Sequence, residues 1–315
     1  MSLAKPKHRF CVEHALEAGE PVEGWAGHGA AQLFIRWPKA KWSDKIRVGQ
    51  GMDEAQEALL DRIVEDGRRA SLIDRKSDDD PALRVLLRPE MLSFDLEAEE
   101  LTPYLEAVAE GGDLTRFRPE STNGRLVLVC THAKHDKCCA KWGFALYKAL
   151  AAAAEAHEDF DIWEATHLGG CRLASSSLFF PRHGGRPRAY GRAMPADAVA
   201  MLKAEAADLP YPPRFKGSAH LTPAEQVAEV IALRAFAELD MPLAPVQVSQ
   251  IGRDARGRTY RVTTAAAEAK VHCRQKPCHR YGSCGDMEAD APIEPEYDPW
   301  FGELVGVTEK MVPAQ

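Results

Sequence analysis

Apolar and polar positions alternate in short segments along this chain, and the segments are separated by turn residues. The middle of the chain has the clearest pattern, which predicts a strand, a helix, a strand, a hairpin and a closing helix. These elements are predicted at residues 125–130, 140–157, 160–163, 178–181 with 188–192, and 195–205. Arg125–Cys130 is apolar enough to be a buried strand. The order predicts an α/β unit in which a βαβ motif is followed by a hairpin.

The segments on either side of this unit are less regular. Before it, the pattern predicts a strand at 32–37, a helix at 53–66 and a Gly-rich linker around 111–124. After it, a capping box at Thr222 predicts a helix to Leu239. A hairpin is predicted next, and the acidic, proline-rich tail from Gly285 is expected to run extended. The first section echoes the second in element order, but without shared residues this does not demonstrate a repeat.

The predicted fold class is α/β, with three parts. An α+β N-terminal section covers 1–118, a thioredoxin-like domain covers 119–208, and a smaller C-terminal α+β section with a helix, a hairpin and a Cys-rich tail covers 209–315. The thioredoxin-like assignment rests on the β-α-β-β-β-α order of the middle part.

Length, charge and hydropathy narrow the class of protein. The 315 residues carry a net charge of -7, which argues against a general nucleic-acid binder because phosphate contacts need surplus Lys and Arg. No apolar run reaches the roughly 18 to 20 residues needed to span a bilayer, and no secretory signal pattern opens the chain. We therefore expect a soluble, cytoplasmic protein with neither nucleic acid nor membrane as partner; the oligomeric state is not predicted.

The chain contains eight cysteines, and their distribution is its most informative feature. In a reducing compartment, clustered cysteines more often bind metal or perform redox chemistry than form disulfides. One group comprises Cys130, Cys138, Cys139 and Cys171; a second comprises Cys273, Cys278 and Cys284. Only Cys11 stands apart, and we expect it in the core.

The first group follows two predicted strands. Cys130 ends the first strand, a polar loop leads to Cys138 and Cys139 at a helix start, and a His-Leu-Gly-Gly-Cys turn (167–171) follows the second strand. Glycines in that turn allow backbone N–H groups to approach a metal centre closely. Four soft or borderline ligands in two pairs suit zinc or a [2Fe–2S] cluster, with either Cys138 or Cys139 as one of them.

These motifs resemble the sucrase/ferredoxin-like family, whose core is a thioredoxin-like [2Fe–2S] ferredoxin. The resemblance rests on CTHAKHDKCC (130–139), WEATHLGGCRLASSSLFFP (163–181) and the YGR that follows. It implies an iron–sulfur cluster held by Cys130, Cys139, His167 and Cys171. The fungal members use two Cys and two His, so Cys171 stands where those relatives have a second histidine.

This ligand set has a charge consequence. Three thiolates and a neutral imidazole leave an oxidised [2Fe–2S] centre at about -1, against about -2 with four thiolates. We therefore expect a reduction potential above that of all-cysteine ferredoxins and, through the second ring nitrogen of His167, coupling of reduction to proton uptake. The implied function is single-electron transfer with a redox partner protein, a reductase or an electron acceptor, by a carrier rather than an enzyme.

The second cysteine group is a candidate second metal site. Cys273, Cys278 and Cys284 with His279 would bind zinc or a second iron–sulfur cluster. Their spacing matches no established pattern, so free thiols or an adventitious disulfide are the alternatives.

Three other functions compete with electron transfer. A structural zinc protein remains open, whereas a thiol–disulfide oxidoreductase normally uses Cys-x-x-Cys at a helix start, which is absent from the sequence. A sugar hydrolase needs two facing carboxylates, and no acidic pair stands out.

Basic residues such as Lys134, Arg182 and Arg188 would form a docking rim near the cluster.

Overall fold

The computed structural model describes residues 9–76, 83–157 and 159–310. Within them the chain forms two sheets, a nine-stranded mixed sheet and a four-stranded antiparallel sheet. The α/β fold class is confirmed. No helix in the described part of the chain is long and apolar enough to cross a membrane.

The large sheet has the strand order β5-β4-β3-β1-β2-β7-β6-β8-β9. Its strands are β1 (Gln32–Arg36), β2 (Arg69–Asp74), β3 (Arg84–Arg88), β4 (Leu92–Asp95), β5 (Glu120–Ser121), β6 (Arg125–Cys130), β7 (Phe160–Ala165), β8 (Ser177–Phe180) and β9 (Arg188–Tyr190). The strands predicted at 125–130, 160–163 and 178–181 are therefore present. β6 is buried along its whole length because it pairs with β7 on one side and β8 on the other.

The sheet divides into two halves with the same topology. In the first half β1 pairs in parallel with β2 and antiparallel with β3, and β3 pairs with β4. In the second half β6 pairs in parallel with β7 and antiparallel with β8, and β8 pairs with β9. The halves meet where β2 and β7 pair antiparallel, at Ile73 and Ala165. The echo in element order is thus a structural repeat of strand arrangement.

Seven α-helices surround the sheets in the described residues. They are α1 (Cys11–Glu17), α2 (Glu54–Glu65), α3 (Leu101–Glu110), α4 (Phe144–Ala154), α5 (Ala198–Ala206), α6 (Pro223–Glu238) and α7 (Cys284–Glu288). The Thr222–Glu225 capping box starts α6 as predicted, with Pro223 in its first turn. A left-handed Gly111 (φ 65°) ends α3.

The core lies in separate layers. α2 and α3 cover one face of the first half, and α4 and α5 cover the same kind of face in the second half. On another face of the sheet, Phe34, Trp163 and Phe180 pack in one cluster with six of the cysteines. A fourth cluster lies between α6 and the small sheet. Six of the eight cysteines therefore lie in one layer of the core.

The sequence predicts that the tail from Gly285 runs extended over the surface. In the structure, the end of this tail is instead the edge strand of a small sheet. The small sheet contains β10 (Gln247–Asp254), β11 (Gly257–Thr263), β12 (Ala267–Gln275) and β13 (Trp300–Glu309), in that order. β13 is an edge strand whose residues are half-buried or exposed, so it lacks the apolar alternation of a core strand. Trp300 and Val307 nevertheless pack against the fourth cluster.

Candidate metal centre

The four predicted ligands follow two adjacent parallel strands. Cys130 ends β6 and pairs in register with Ala165, the last residue of β7, so His167 begins its loop beside Cys130. Cys139 begins a π-helical turn (Cys139–Gly143) that leads into α4, and Cys171 begins a short 3-10 helix. Loops at the carboxyl ends of neighbouring parallel strands emerge at one edge, which is why residues 32 positions apart meet there.

The structure brings all four donors together. The ligand atoms of Cys130, Cys139 and His167 lie within 4.8 Å of one another. The Sγ atoms of Cys139 and Cys171 are 4.0 Å apart, and the Cys171 Sγ is 3.4 Å from His167 Nδ1. The three cysteines are 1–3% exposed, whereas His167 is half-buried. The group is therefore shielded from water except on its histidine side.

Glycines at two places allow this approach. Gly169 and Gly170 adopt left-handed backbone conformations (φ 95° and 68°), which return the chain from His167 to Cys171 within one turn. Gly143 ends the π-helical turn against the end of β6, where a Cβ would lie 1.8 Å from the Cys130 carbonyl oxygen. The sequence predicts an ordinary helix from Ala140, whereas the structure has a π-helical turn at its start. A π turn contains one more residue than an α turn, and this extra residue places Cys139 at the site. Hydrophobic periodicity does not reveal such a turn.

The donors form a hydrogen-bonded group of thiols, thiolates and an imidazole. Hydrogen bonding from the Cys139 thiol lowers the pKa of Cys130 and, with His135 and His167, the pKa of Cys171 to about 3. The same two sulfurs raise the pKa of Cys139. Burial lowers the pKa of His167, but the Cys130 and Cys171 sulfurs outweigh it and raise that pKa to about 9. The surroundings thus favour the thiolate, the form that binds metal, at Cys130 and Cys171 and the thiol at Cys139.

Two cations that the sequence does not single out lie beside the donors, Lys216 buried and Arg69 half-buried. Arg69 of β2 donates to the His167 carbonyl oxygen at 2.9 Å, and Lys216, only 2% exposed, donates to Ser176 Oγ at 3.3 Å. Burial lowers the pKa of Lys216 to about 8, while the Cys130 and Cys139 sulfurs oppose that shift. Neither side chain has a salt-bridge partner among residues 9–76, 83–157 and 159–310. A buried cation without a salt-bridge partner is costly, and an anionic centre would compensate the charge of Lys216.

Histidines of the Cys130–Cys139 loop border the site. His135 is exposed, and its ring centroid is 4.2 Å from that of His167; with His167 and Cys171 it forms a second group of donors within 4.8 Å. His132 is buried, contacts the Ser43 carbonyl oxygen at 2.7 Å through Nε2 and accepts the His167 N–H at 3.3 Å. His132 therefore ties the loop of the first half to the site, and His135 is an additional donor at its surface.

Cys138 faces away from these donors. Its Sγ lies 3.3 Å from Cys11 Sγ and 3.4 Å from Cys284 Sγ. Successive residues at the start of the π-helical turn thus point to two different sulfur groups. Between the two candidates that the sequence left open, Cys139 lies with Cys130, His167 and Cys171.

The structure does not bring together the predicted second site of Cys273, Cys278, Cys284 and His279. Cys273 is on β12 and packs in the apolar cluster under α6, because the strand's pairing directs it inward. Cys278 Sγ contacts the Ala18 carbonyl oxygen at 3.6 Å, and the His279 ring packs against His14 and Tyr281. Only Cys284 joins a group of potential ligands. Cysteines that are close in sequence need not point to the same place when the segment between them is irregular, and this is why the predicted second site does not form.

The predicted basic rim is also dispersed. Arg182 and Arg188 belong to the β8–β9 hairpin, at the end of β6 opposite Cys130, and pair with Asp159 and Glu205. Lys134 donates to backbone carbonyls of the first half. These cations are engaged within the protein rather than arranged around the site.

A large mixed sheet with three buried thiols and an imidazole at the ends of its parallel strands defines an α/β protein with a candidate metal centre. The sequence model of the sucrase/ferredoxin-like family matches residues 23–217, and the chain belongs to this family.

Comparison with solved structures finds a serine variant of the thioredoxin-like [2Fe-2S] ferredoxin from Aquifex aeolicus. The two sequences are 14% identical, and the match covers 30% of this chain and 99% of that one with a TM-score of 0.26. No curated protein matches the chain. The family membership and the Cys-rich group fit iron–sulfur binding.

Proposed function

We propose that this protein binds a [2Fe–2S] cluster through Cys130, Cys139, His167 and Cys171 and transfers single electrons to or from a partner protein. The observation that carries the proposal is the convergence of three buried thiols and one imidazole from the loops after β6 and β7. This donor set suits a [2Fe–2S] centre, because thiolate and imidazole are its established ligands. When bound, the cluster would accept and release one electron at a time.

The surroundings support a redox role. His167 is the half-buried member of the set, and exposed His135 packs on its ring at 4.2 Å, so the centre lies close to one surface. Electron exchange with a partner needs such an edge, whereas the sulfurs remain shielded from water. Lys216 and Arg69 place positive charge beside the donors and would stabilise the added electron.

A single zinc ion is the second candidate. The separations of 4.0 and 3.4 Å between donors are close to those around one tetrahedral ion. A thiol–disulfide oxidoreductase has less support, since no two cysteines of the sequence have the Cys-x-x-Cys spacing. A hydrolytic function gains no support, because the site is built of thiols and imidazoles rather than facing carboxylates.

The deciding experiment is spectroscopic and analytical. Full-length protein purified without oxygen is expected to be coloured, to contain iron and acid-labile sulfide in equal amounts, and to bleach with dithionite while an electron paramagnetic resonance signal appears. Cys139→Ser should abolish these signals, and Cys273→Ala, which removes a thiol of the small sheet, should leave them unchanged. Colourless protein with zinc in place of iron at these residues would overturn the proposal in favour of the second candidate.

A further inference from the structure

Three other cysteines meet in the core, although they are far apart in the sequence. Cys11 begins α1, Cys138 precedes the π-helical turn, and Cys284 begins α7. Cys138 Sγ is 3.3 Å from Cys11 Sγ and 3.4 Å from Cys284 Sγ. The three are 0%, 0% and 2% exposed, and none of them forms a disulfide.

A carboxylate completes the group. An oxygen of Asp136 and the three sulfurs all lie within 4.8 Å of one another. Asp136 is 3% exposed and is held in place because its two oxygens accept the N–H groups of Cys138 and Cys284, each at 2.7 Å. No basic side chain forms a salt bridge with it in the part of the chain that the structure describes.

Packing alone does not account for this arrangement. A buried thiol can act as a small apolar side chain, and Cys273 does so among carbon atoms under α6. The three thiols here contact one another beside a carboxylate instead. A buried carboxylate without a cation is expensive, and a bound cation would supply the missing charge.

We propose that Cys11, Cys138 and Cys284 bind a zinc ion as thiolates, with Asp136 as the fourth ligand. Three sulfurs and one oxygen around a single point match the four-coordinate preference of zinc. On binding, each thiol releases its proton to solvent, so one Zn²⁺ replaces three protons. The Val12 N–H, which donates to the Cys138 sulfur, would stabilise the resulting negative charge.

The location indicates a structural role. The segment 276–299 joins β12 to β13 and contains little regular structure beyond α7 and one 3-10 turn. Long connections of this kind are uncommon in a compact protein unless they are held by other interactions. A zinc ion at Cys284 would fasten this segment and α1 to the loop that carries Cys139.

This site has its own set of ligands but borders the proposed electron-transfer centre: Cys138 and Cys139 are neighbours, and an Asp136 oxygen also lies within 4.8 Å of the Cys139 and Cys171 sulfurs. The first site takes Cys130, Cys139, His167 and Cys171, and the second shares none of these residues. Cys11 and Cys284 belong to the second group alone, so replacing either one tests the zinc site while the ligands of the first centre are retained, and the two proposals can fail independently.

Metal analysis of the full-length protein tests the proposal. We expect about one equivalent of zinc per chain that Cys284→Ser and Cys11→Ser remove, while Cys278→Ser, a neighbouring thiol outside the group, retains it. The absorbance and iron of the first centre are measured in the same samples. If the first centre itself binds zinc, the wild type should contain about two equivalents, of which Cys130→Ser and Cys284→Ser each remove one.

A second test uses the wild-type protein and so does not depend on whether a variant folds. Removal of the zinc by a chelator should accelerate proteolysis within 276–299 by about tenfold, and added zinc should reverse the change. Cobalt bound in place of zinc should show thiolate-to-cobalt charge-transfer absorption. The proposal is overturned if wild-type protein has no zinc assignable to these cysteines, if iron occupies them, or if thiol mapping finds a disulfide among them.

Discussion

The two halves of the large sheet share their topology but not their chemistry. Each half has two parallel strands followed by an antiparallel hairpin, and the halves meet where Ile73 of β2 pairs with Ala165 of β7. The Trp37 N–H donates to Ile73 O in the first half, as the Thr131 N–H donates to Ala165 O in the second. This correspondence defines equivalent positions without any similarity of sequence.

The equivalent positions carry opposite kinds of residue. Arg36 stands where the second half has Cys130, and Arg75 stands where it has His167. Arg36 lies 3.7 Å from Asp74, and Arg75 pairs with Asp161 and packs over the Trp163 ring. The same loops are thus held by ion pairs in one half and present the candidate metal ligands in the other. The fold therefore does not require the thiols, whose presence in the second half calls for a functional explanation.

The first half also contributes to the site of the second. Its loop after β1 supplies carbonyl oxygens to His132, Lys134 and His135, through Ser43, Trp42 and Asp44. The loop after β1, which contributes none of the four proposed ligands, thus holds the loop between Cys130 and Cys139 in place through these hydrogen bonds.

Replacing equivalent residues in the two halves gives the largest expected difference. Cys130→Ser should lower the iron content about tenfold or more, because loss of a ligand costs at least as much as loss of its supporting hydrogen bonds. Arg36→Ser should retain full iron and visible absorption. Equal iron loss in both variants would show that Cys130 acts through folding rather than through ligation.

His167→Cys tests the charge of the proposed centre. Exchanging a neutral imidazole for a thiolate makes the cluster one unit more negative, so its reduction potential should fall by on the order of 100 mV. The matched change in the first half, Arg75→Cys, should leave the potential unchanged. A potential that does not move in His167→Cys would remove His167 from the ligand set, with His135, 4.2 Å away by ring centroids, as its replacement.

Lys216→Met tests the buried cation beside the donors. Loss of a positive charge destabilises the reduced state, so the potential should fall by on the order of 50 mV at pH 7. The pKa of Lys216 is lowered to about 8 by burial, so wild-type and variant potentials should converge as the pH rises above that value. Exposed Lys203 on α5 provides the control, since Lys203→Met should have little effect at either pH.

Local sequence patterns predict the second half well. The strands at 125–130 and 160–163 and the capping box of α6 are found, and two loops after adjacent parallel strands must lie close together. The predicted boundaries at 118 and 208 remain predictions, although the sheet continues from the first section into the second.

The remaining features depend on contacts between distant segments. Periodicity cannot show that β2 pairs with β7, which brings Arg69 to His167. Nor can it show that Cys284 lies with Cys11 and Cys138 rather than with its sequence neighbours Cys273 and Cys278. The π turn at Cys139–Gly143 depends on packing against Cys130 O, which is also a long-range contact.

The smallest effect is expected from a helix cap of the first half. The Asp53 carboxylate accepts the Gln56 N–H at 2.8 Å, and Gln56 Oε1 accepts the Asp53 N–H at 3.2 Å, which closes a capping box on α2. Asp53→Ala should lower the free energy of unfolding by about 1 kcal/mol. Asp53→Asn, which retains the acceptor, should lose less. Because α2 contributes no side chain to the donor set, the absorption spectrum and potential should match the wild type; a changed potential would show that the first half tunes the centre through its packing.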